Sequence, residues 1–221
     1  MKKFRFIPGV LLLLVFSFPL AAQVPVYEEP VHKPVFVNKY FRLMDVHIKA
    51  GDTTLFHIHS TPSAFVYHTS TSLATQIKGQ GWVKEKSEAG KAWFRSFRPD
   101  SLVHRVAVVD SMPLHVNDVE ILSAYQPAAF SLTMPYAILF ENDTAVGYRL
   151  TNADLTGQEI SGRGPLLAIL VKGEGVEYHD VPSDERRTLL PGRFLYISPG
   201  LVFTLNAKGT YPADLVIFEI K

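Results

Sequence analysis

Past Gln23 the chain sustains no helical repeat: apolar residues do not recur at helical spacing over any long stretch. Short runs rich in Val, Ile, Phe, Tyr and Thr appear instead, cut by Gly, Pro, Asp and Asn. That punctuation predicts an all-β sandwich or barrel. The expected strands of the first half cover residues 35–41, 42–48, 55–59, 64–68, 93–97, 102–108 and 114–122. Those of the second half cover 147–150, 166–172, 176–178, 194–197, 202–205 and 214–220. Both series run through a strand, a glycine turn, a strand pair, a variable loop and a proline-bearing turn into a closing strand. A shared order of this kind suggests an internal duplication. At 221 residues the chain has room for two modules of about 100 residues each. Residues 123–135, with Pro127 and polar spacers, are the expected connection.

Residues 1–22 differ from the rest. Lys2, Lys3 and Arg5 precede an uncharged run over residues 9–20, followed by Ala21 and Ala22. A charged start, a short apolar middle and small residues before a cleavage point predict a secretory signal peptide. The run is too short for a spanning helix, which needs about 20 apolar residues. The expected organisation is therefore a signal peptide at 1–22, an N-terminal module at 23–125 and a C-terminal module at 126–221, with no stable membrane anchor after cleavage. The protein is expected in the periplasm or outside the cell.

Removing Lys2, Lys3 and Arg5 takes the basic count from 22 to 19 against 21 acidic residues, a net charge of −2. The longest charged mixture, residues 84–91, interleaves Glu with Lys and reads as a solvated hairpin or loop. Neither feature suits a nucleic-acid partner. The chain has no cysteine, which excludes disulfide staples, thiol nucleophiles and thiolate ligands. Any chemistry falls to His, carboxylates and hydroxyls. No Gly-x-Ser-x-Gly elbow is present. The pairs Gly79/Gly81, Gly162/Gly164 and Gly173/Gly175 lack the third glycine and helix of a dinucleotide site, and read as turns.

Within the segment Gly51-Asp-Thr-Thr-Leu-Phe-His57-Ile-His59, two histidines stand two residues apart in a strand-like run. Side chains at i and i+2 of a strand leave the same face, so both imidazoles point to one side. Further on, Pro99-Asp-Ser-Leu-Val-His104 brings a third histidine to the start of another strand. These segments resemble the two motifs of the cupins. The first is Gly, five residues, His-x-His and a later Glu, whose opening Gly51, His57 and His59 match. The second is Pro-x-Gly-x-x-His, matched by Pro99, Ser101 and His104 with Ser in place of Gly.

The resemblance implies two tandem jelly-roll barrels, a bicupin, with one divalent metal ion held by His57, His59 and His104 in the first. Iron is the first expectation, with zinc, nickel or manganese as alternatives. The motif's Glu would fall at Ser63 or Ala64, neither of which ligates a metal well. Three neutral imidazoles leave the ion its full charge and open positions, suited to an anionic or oxygen-donor ligand. Some cupin-like dioxygenases have a comparable three-histidine arrangement around iron, so a mononuclear dioxygenase is the leading enzymatic reading. A non-catalytic binder of a sugar or organic acid is the alternative. His68 is the candidate replacement for the missing Glu.

The second series keeps the frame and loses the ligands. Arg163 and Pro165 stand where His-x-His is expected after Gly157, and Gly200-Leu-Val-Phe203-Thr204 offers no histidine. A metal-free second module that packs against the first, or lines its mouth, is the expectation. Elsewhere His115, Asp118 and Glu120 read as a solvated strand face and His47 as a surface strand residue. His32 and His179 read as loop residues. Tyr67, Trp82, Trp93 and Phe97 read as barrel wall, with Tyr67 or Gln76 as candidates to face a pocket. A homodimer through exposed sheet edges is the expected assembly.

Overall fold

The computed structural model describes residues 23–125 and 133–221; the expected signal peptide and residues 126–132 of the expected connection lie outside the described residues. The first half forms β1 Val24–Pro25, β2 His32–Val37, β3 Phe41–Ile48, β4 His57–His59 and β5 Ser63–Tyr67. It continues with β6 Thr71–Ile77, β7 Trp82–Ser87, β8 Ala92–Arg95, β9 Leu102–Val108 and β10 Leu114–Ile121. Their order in two facing sheets is β1-β4-β9-β6-β7 and β2-β3-β10-β5-β8.

The second half forms β11 Ala137–Glu141, β12 Ala145–Thr151, β13 Thr156–Ile160, β14 Leu166–Lys172 and β15 Val176–Asp180. After these come β16 Glu185–Leu189, β17 Phe194–Ile197, β18 Phe203–Ala207 and β19 Asp214–Ile220. Their sheets run β11-β12-β19-β14-β17 and β13-β18-β15-β16. Apart from the short β1, every strand of the first half has a counterpart at the same place in the second. The duplication expected from pattern is thus present as topology, and the chain is two jelly-roll barrels in tandem.

Burial explains which strands the sequence announces. In β3 the residues Met44, Val46 and Ile48 turn into the first barrel, while Phe41 and Leu43 leave by the other face. That other face does not meet water there. Phe41, Leu43, Val66 and Val119 pack against Leu167, Ile169, Val216 and Phe218 of the second module. The two modules therefore stand back to back, and β10, β14 and β19 are buried on both faces over most of their length. A strand covered on both sides reads as a continuous apolar run, as Leu166–Lys172 does.

Edge strands behave oppositely. The nearly fully exposed β7 and β16 carry little apolar pattern, and the charged segment 84–91 proves to be the end of β7 and the turn after it. A strand that closes a sheet edge needs no buried face, and its polar side chains discourage further pairing. β6, β11 and β13 also lie outside the expected strands.

Candidate metal centre

β4 and β9 are adjacent and antiparallel, and their register sets His57 directly opposite His104. His59, two residues along β4, shares the inward face with His57. One ligand nitrogen from each of the three lies within 4.8 Å of the others. Ring centroids are 4.7–5.1 Å apart among the three. All three of the sequence-derived ligands thus converge on one point inside the first barrel.

The environment keeps the imidazoles neutral. Burial, followed by the neighbouring His32 and His104 rings, pushes His57 down to about 3. Burial, with His32 and Arg95 behind it, brings His104 down to about 4. His59 is driven well below the usual histidine range by burial and then by His104 and His57. Neutral imidazole is the form that ligates a metal.

Orientation follows from hydrogen bonding. His57 Nδ1 lies 2.9 Å from the Leu55 carbonyl oxygen. A carbonyl only accepts, so the proton sits on Nδ1 and the Nε2 lone pair is left for the cavity. His57 Nε2, His59 Nδ1 and both nitrogens of His104 are buried without a hydrogen-bond partner. Each unpaired polar atom of this kind costs about 1–3 kcal/mol. Three imidazoles from two adjacent strands, close together and with buried nitrogens that lack partners, fit a bound cation.

Two groups around the triad escape the sequence reading. Instead of lying in a loop, His32 opens β2 and is buried, its ring 4.5 Å from that of His57. Its Nδ1 donates to Glu29 at 2.7 Å, and Glu29 also accepts from the N–H groups of Val31 and Leu55. Burial works to raise the Glu29 carboxyl, but donation from His32 and then from Leu55 and Val31 outweighs it and brings it to about 2. The pairing of β1 with β4 carries this segment across the barrel. No local signal marks it, because Glu29-Pro-Val-His32 looks like any polar connection.

Asp118 is the second. Far from lying on a solvated face, Asp118 and Glu120 are 1% and 2% exposed. They continue the inward set Leu114 and Val116, because β10 is the central strand of its sheet. Glu120 pairs with Arg42 at 2.5 Å. Asp118 Oδ2 stands 3.7 Å from His59 Nδ1. Burial and then the Glu120 charge hold the Asp118 carboxyl well above its usual range, with Ser63 offsetting part of the rise. A carboxylate therefore does lie beside the triad, supplied by β10 instead of positions 63 or 64.

His68 takes no part. It is hydrogen-bonded to Asn117 at 2.8 Å and its ring is stacked on His115, on the outer side of the sheet. Gln76 also points away, with its Oε1 accepting from Arg105 at 2.8 Å. His179 belongs to β15 and pairs with Asp184. Trp82 is exposed on the edge strand.

A cavity of about 240 Å³ opens over the three histidines. Its walls are apolar, including Val46, Phe65, Leu73, Trp93 and Val116, and Arg95 and Glu85 supply charge to its lining. Phe97 stacks on His59 at 4.8 Å. Its φ of +53° is costly for a bulky residue and puts strain of about 1–3 kcal/mol beside the site. A cavity of about 150 Å³ suffices for benzene; this one suits a single substituted ring or a short organic acid.

The second barrel carries apolar residues at the corresponding strand positions. The run Leu102-Val103-His104 is matched by Leu201-Val202-Phe203, and Phe203 pairs with Ile160 as His104 pairs with His57. Arg163 and Pro165 are not the counterparts of the His-x-His pair: they follow β13 in the connection to β14. A bulge between Thr156 and Glu159 displaces the spacing counted from Gly157. Arg163 instead clamps Glu219, its Nε 2.9 Å from Oε1 and a second nitrogen 2.5 Å from Oε2.

No protein-family model matches the chain, and no curated protein matches it. Solved structures do match in fold. AerE from Microcystis aeruginosa aligns at 14% identity over 87% of this chain and 98% of that one, with a TM-score of 0.56. A cupin 2 conserved barrel domain protein from Leptotrichia buccalis aligns at 10% identity over 85% and 87%, with a TM-score of 0.54. Salicylate 1,2-dioxygenase from Pseudoaminobacter salicylatoxidans aligns at 10% identity over 83% of this chain and 69% of that one, at 0.59. At such identities the likeness is one of fold.

Proposed function

We propose that this protein, which has the two-barrel fold of the cupins, holds one divalent ion on His57, His59 and His104 and binds a small organic acid beside it, with dioxygenation as its reaction. The observation that carries the reading is the convergence of buried, neutral imidazoles, of which His57 Nε2, His59 Nδ1 and both His104 nitrogens have no hydrogen-bond partner. Iron is the ion proposed; zinc, nickel and manganese are accepted by similar donor sets. Two structures sharing the fold are, by name, a salicylate 1,2-dioxygenase and an oxalate decarboxylase, both named for carboxylates. Arg95 in the cavity lining agrees with that.

When bound, the ion supplies Lewis acidity and, as iron, redox contact with oxygen. The chain's own residues do the rest. Leu55 fixes the His57 ring through Nδ1. Phe97 holds the plane of His59 by stacking. Asp118 Oδ2, 3.7 Å from His59 Nδ1, sets a buried carboxyl beside that ring. Arg95 offers a counter-charge to a substrate carboxylate, and the apolar wall of Phe65, Trp93 and Val116 excludes water from the ring or chain that carries it.

Metal content of protein purified without chelator, compared with His57→Ala, tests the reading. One iron per chain lost in the variant, with oxygen uptake on adding small aromatic carboxylates, is the expected result. Zinc or nickel at the same site without turnover removes the dioxygenase and leaves a non-catalytic binder of a sugar or organic acid. Metal content untouched by His57→Ala overturns the site itself.

The same proposal places the protein outside the cytoplasm, on the pattern of residues 1–22, with a small molecule and not a nucleic acid as its partner. Pairing of two copies through an exposed edge is checked by light scattering.

A further inference from the structure

The inner triad has a simple construction: two ligands at i and i+2 on one strand, and a third directly opposite one of them on the antiparallel neighbour. The same construction occurs once more, on the outer face of the other sheet. Asp45 and His47 stand at i and i+2 of β3, and His115 of β10 lies opposite His47. Asp45 and His47 follow Phe41 and Leu43 on the face turned away from the barrel interior. Where the back-to-back packing ends, this face becomes polar.

We propose that Asp45, His47 and His115 form a second metal site, for a borderline divalent transition ion of the zinc class. One ligand atom from each lies within 4.8 Å of the others. Ligands of one ion at about 2.0–2.1 Å stand roughly 3.3–4.2 Å apart, so a small rotation of a side chain closes the site. His47 is free to make it, its side chain being 61% exposed.

The donors already face one another. Asp45 Oδ1 is 2.7 Å from His115 Nε2, and Oδ2 is 3.1 Å from His47 Nε2. An ionised carboxylate only accepts, so both rings present Nε2 to it. An ion entering among the three takes the place of those hydrogens, the proton of each neutral ring passing through solvent from Nε2 to Nδ1 and freeing the Nε2 lone pair. Two imidazoles and a carboxylate with open positions are a donor set that zinc, copper, nickel and ferrous iron all accept.

The surroundings hold the donors in place. The rings of His47 and His115 stack at 4.0 Å, and His68 stacks on the other side of His115 at 4.2 Å. Asn117 Nδ2 donates to Asp45 Oδ1 at 3.0 Å while its Oδ1 accepts from His68. Partners of this kind orient a ligand and raise its affinity. The second module reaches the same spot, since a Cβ added at Gly192 would lie 3.8 Å from His115 Cε1. An ion here sits at the seam of the two modules, open to solvent, and needs no access to the barrel interior.

The test is a Zn²⁺ titration with elemental analysis after dialysis, run on the wild type, on His47→Ala, on His57→Ala/His59→Ala and on the triple variant. Two equivalents are expected for the wild type, one for each of the two variants and none for the triple. His47→Ala should weaken the outer site by roughly 100-fold without altering the fold, because the side chain is mostly exposed. Asp45→Asn should act in the same direction. A wild type and His47→Ala variant with equal stoichiometry overturn the outer site. A wild type with one equivalent that only His47→Ala removes keeps it and overturns the inner one, so the two readings fail separately.

Discussion

In the second barrel Ile160 faces Phe203 across a pair of strands, and Leu215 and Ile217 fill the space beside them. In the first, the same pair is His57 and His104, and the residue in the register of Ile217 is Asp118. Both barrels keep a buried glutamate one strand position from the end, Glu120 with Arg42 and Glu219 with Arg163. The arginine–glutamate pair is therefore part of the frame, whereas the histidines and Asp118 are not. A barrel of this topology closes well on apolar residues alone. Placing unpaired imidazoles there costs stability that a bound cation restores.

The largest expected effect comes from erasing the difference. Combining His57→Ile with His104→Phe makes the first barrel resemble the second, and should stabilise the metal-free protein by about 3–9 kcal/mol by removing three unsatisfied nitrogens. It should also flatten the response to acid. In the fold His57 and His104 stay neutral down to about 3 and about 4, but in the unfolded chain they take protons below about pH 6.5. Unfolding then takes up protons, so stability is complete above that pH and falls as pH drops toward 4. Each imidazole contributes about 2 kcal/mol of loss at pH 5. Urea denaturation in chelator at pH 7 and pH 5 measures both; a double variant no more stable than the wild type would show that the nitrogens are not unsatisfied.

The second barrel supplies the next effect. Arg163→Ala leaves Glu219 buried with Tyr148 and the Gly164 N–H as remaining donors. Removing one member of a buried pair costs about 3–5 kcal/mol. The metal content of the first barrel should be unchanged. Loss of metal together with stability would mean that the two barrels are not separable in function.

The contrast between the barrels was only half visible in the sequence. His57, His59 and His104 were legible because two of them obey the period of a strand and the third ends a Pro-containing turn. The failure of the second series to repeat them was legible too. Asp118 was not, since Asp118 and Glu120 share a strand face and two carboxylates together read as solvated, whereas that face turns into the barrel and the second module packs on the other through Val119. His32 was hidden for another reason: its place beside His57 follows from a chain crossing and not from any local pattern. The outer cluster needs the register of β3 against β10, which no spacing within one strand encodes. Polar edge strands such as β7 and β16 lack the buried face by which strands are recognised.

Asp118 sharpens the comparison on a smaller scale. As the carboxylate behind a ligating imidazole it should tighten the ion, so Asp118→Asn should weaken binding at the inner site about 10–100-fold, roughly 1.4–2.7 kcal/mol. Competition with a chromogenic chelator reads this directly. In the metal-free protein the same change should cost little, because burial raises that carboxyl well above its usual range and disfavours its charged form. Equal losses with and without metal would make Asp118 a packing residue like Ile217.

Arg95 gives the smallest effect and the one that speaks to substrate. Its counterpart in the second barrel is Ile197, opposite Leu166 as Arg95 is opposite Ser63. The Arg95 guanidinium lies 4.9 Å from the Phe97 ring centroid and is exposed to water, so its attraction for an anion is screened and worth about 1 kcal/mol or less. Arg95→Gln should therefore raise the Kd of a small carboxylate by about fivefold while leaving one ion bound at the inner site and the affinity for a neutral analogue unchanged. Calorimetric titration of the metal-loaded protein with benzoate and then benzamide separates the outcomes. Equal weakening for both would assign Arg95 to the shape of the mouth and remove the reason for choosing an acid as the ligand.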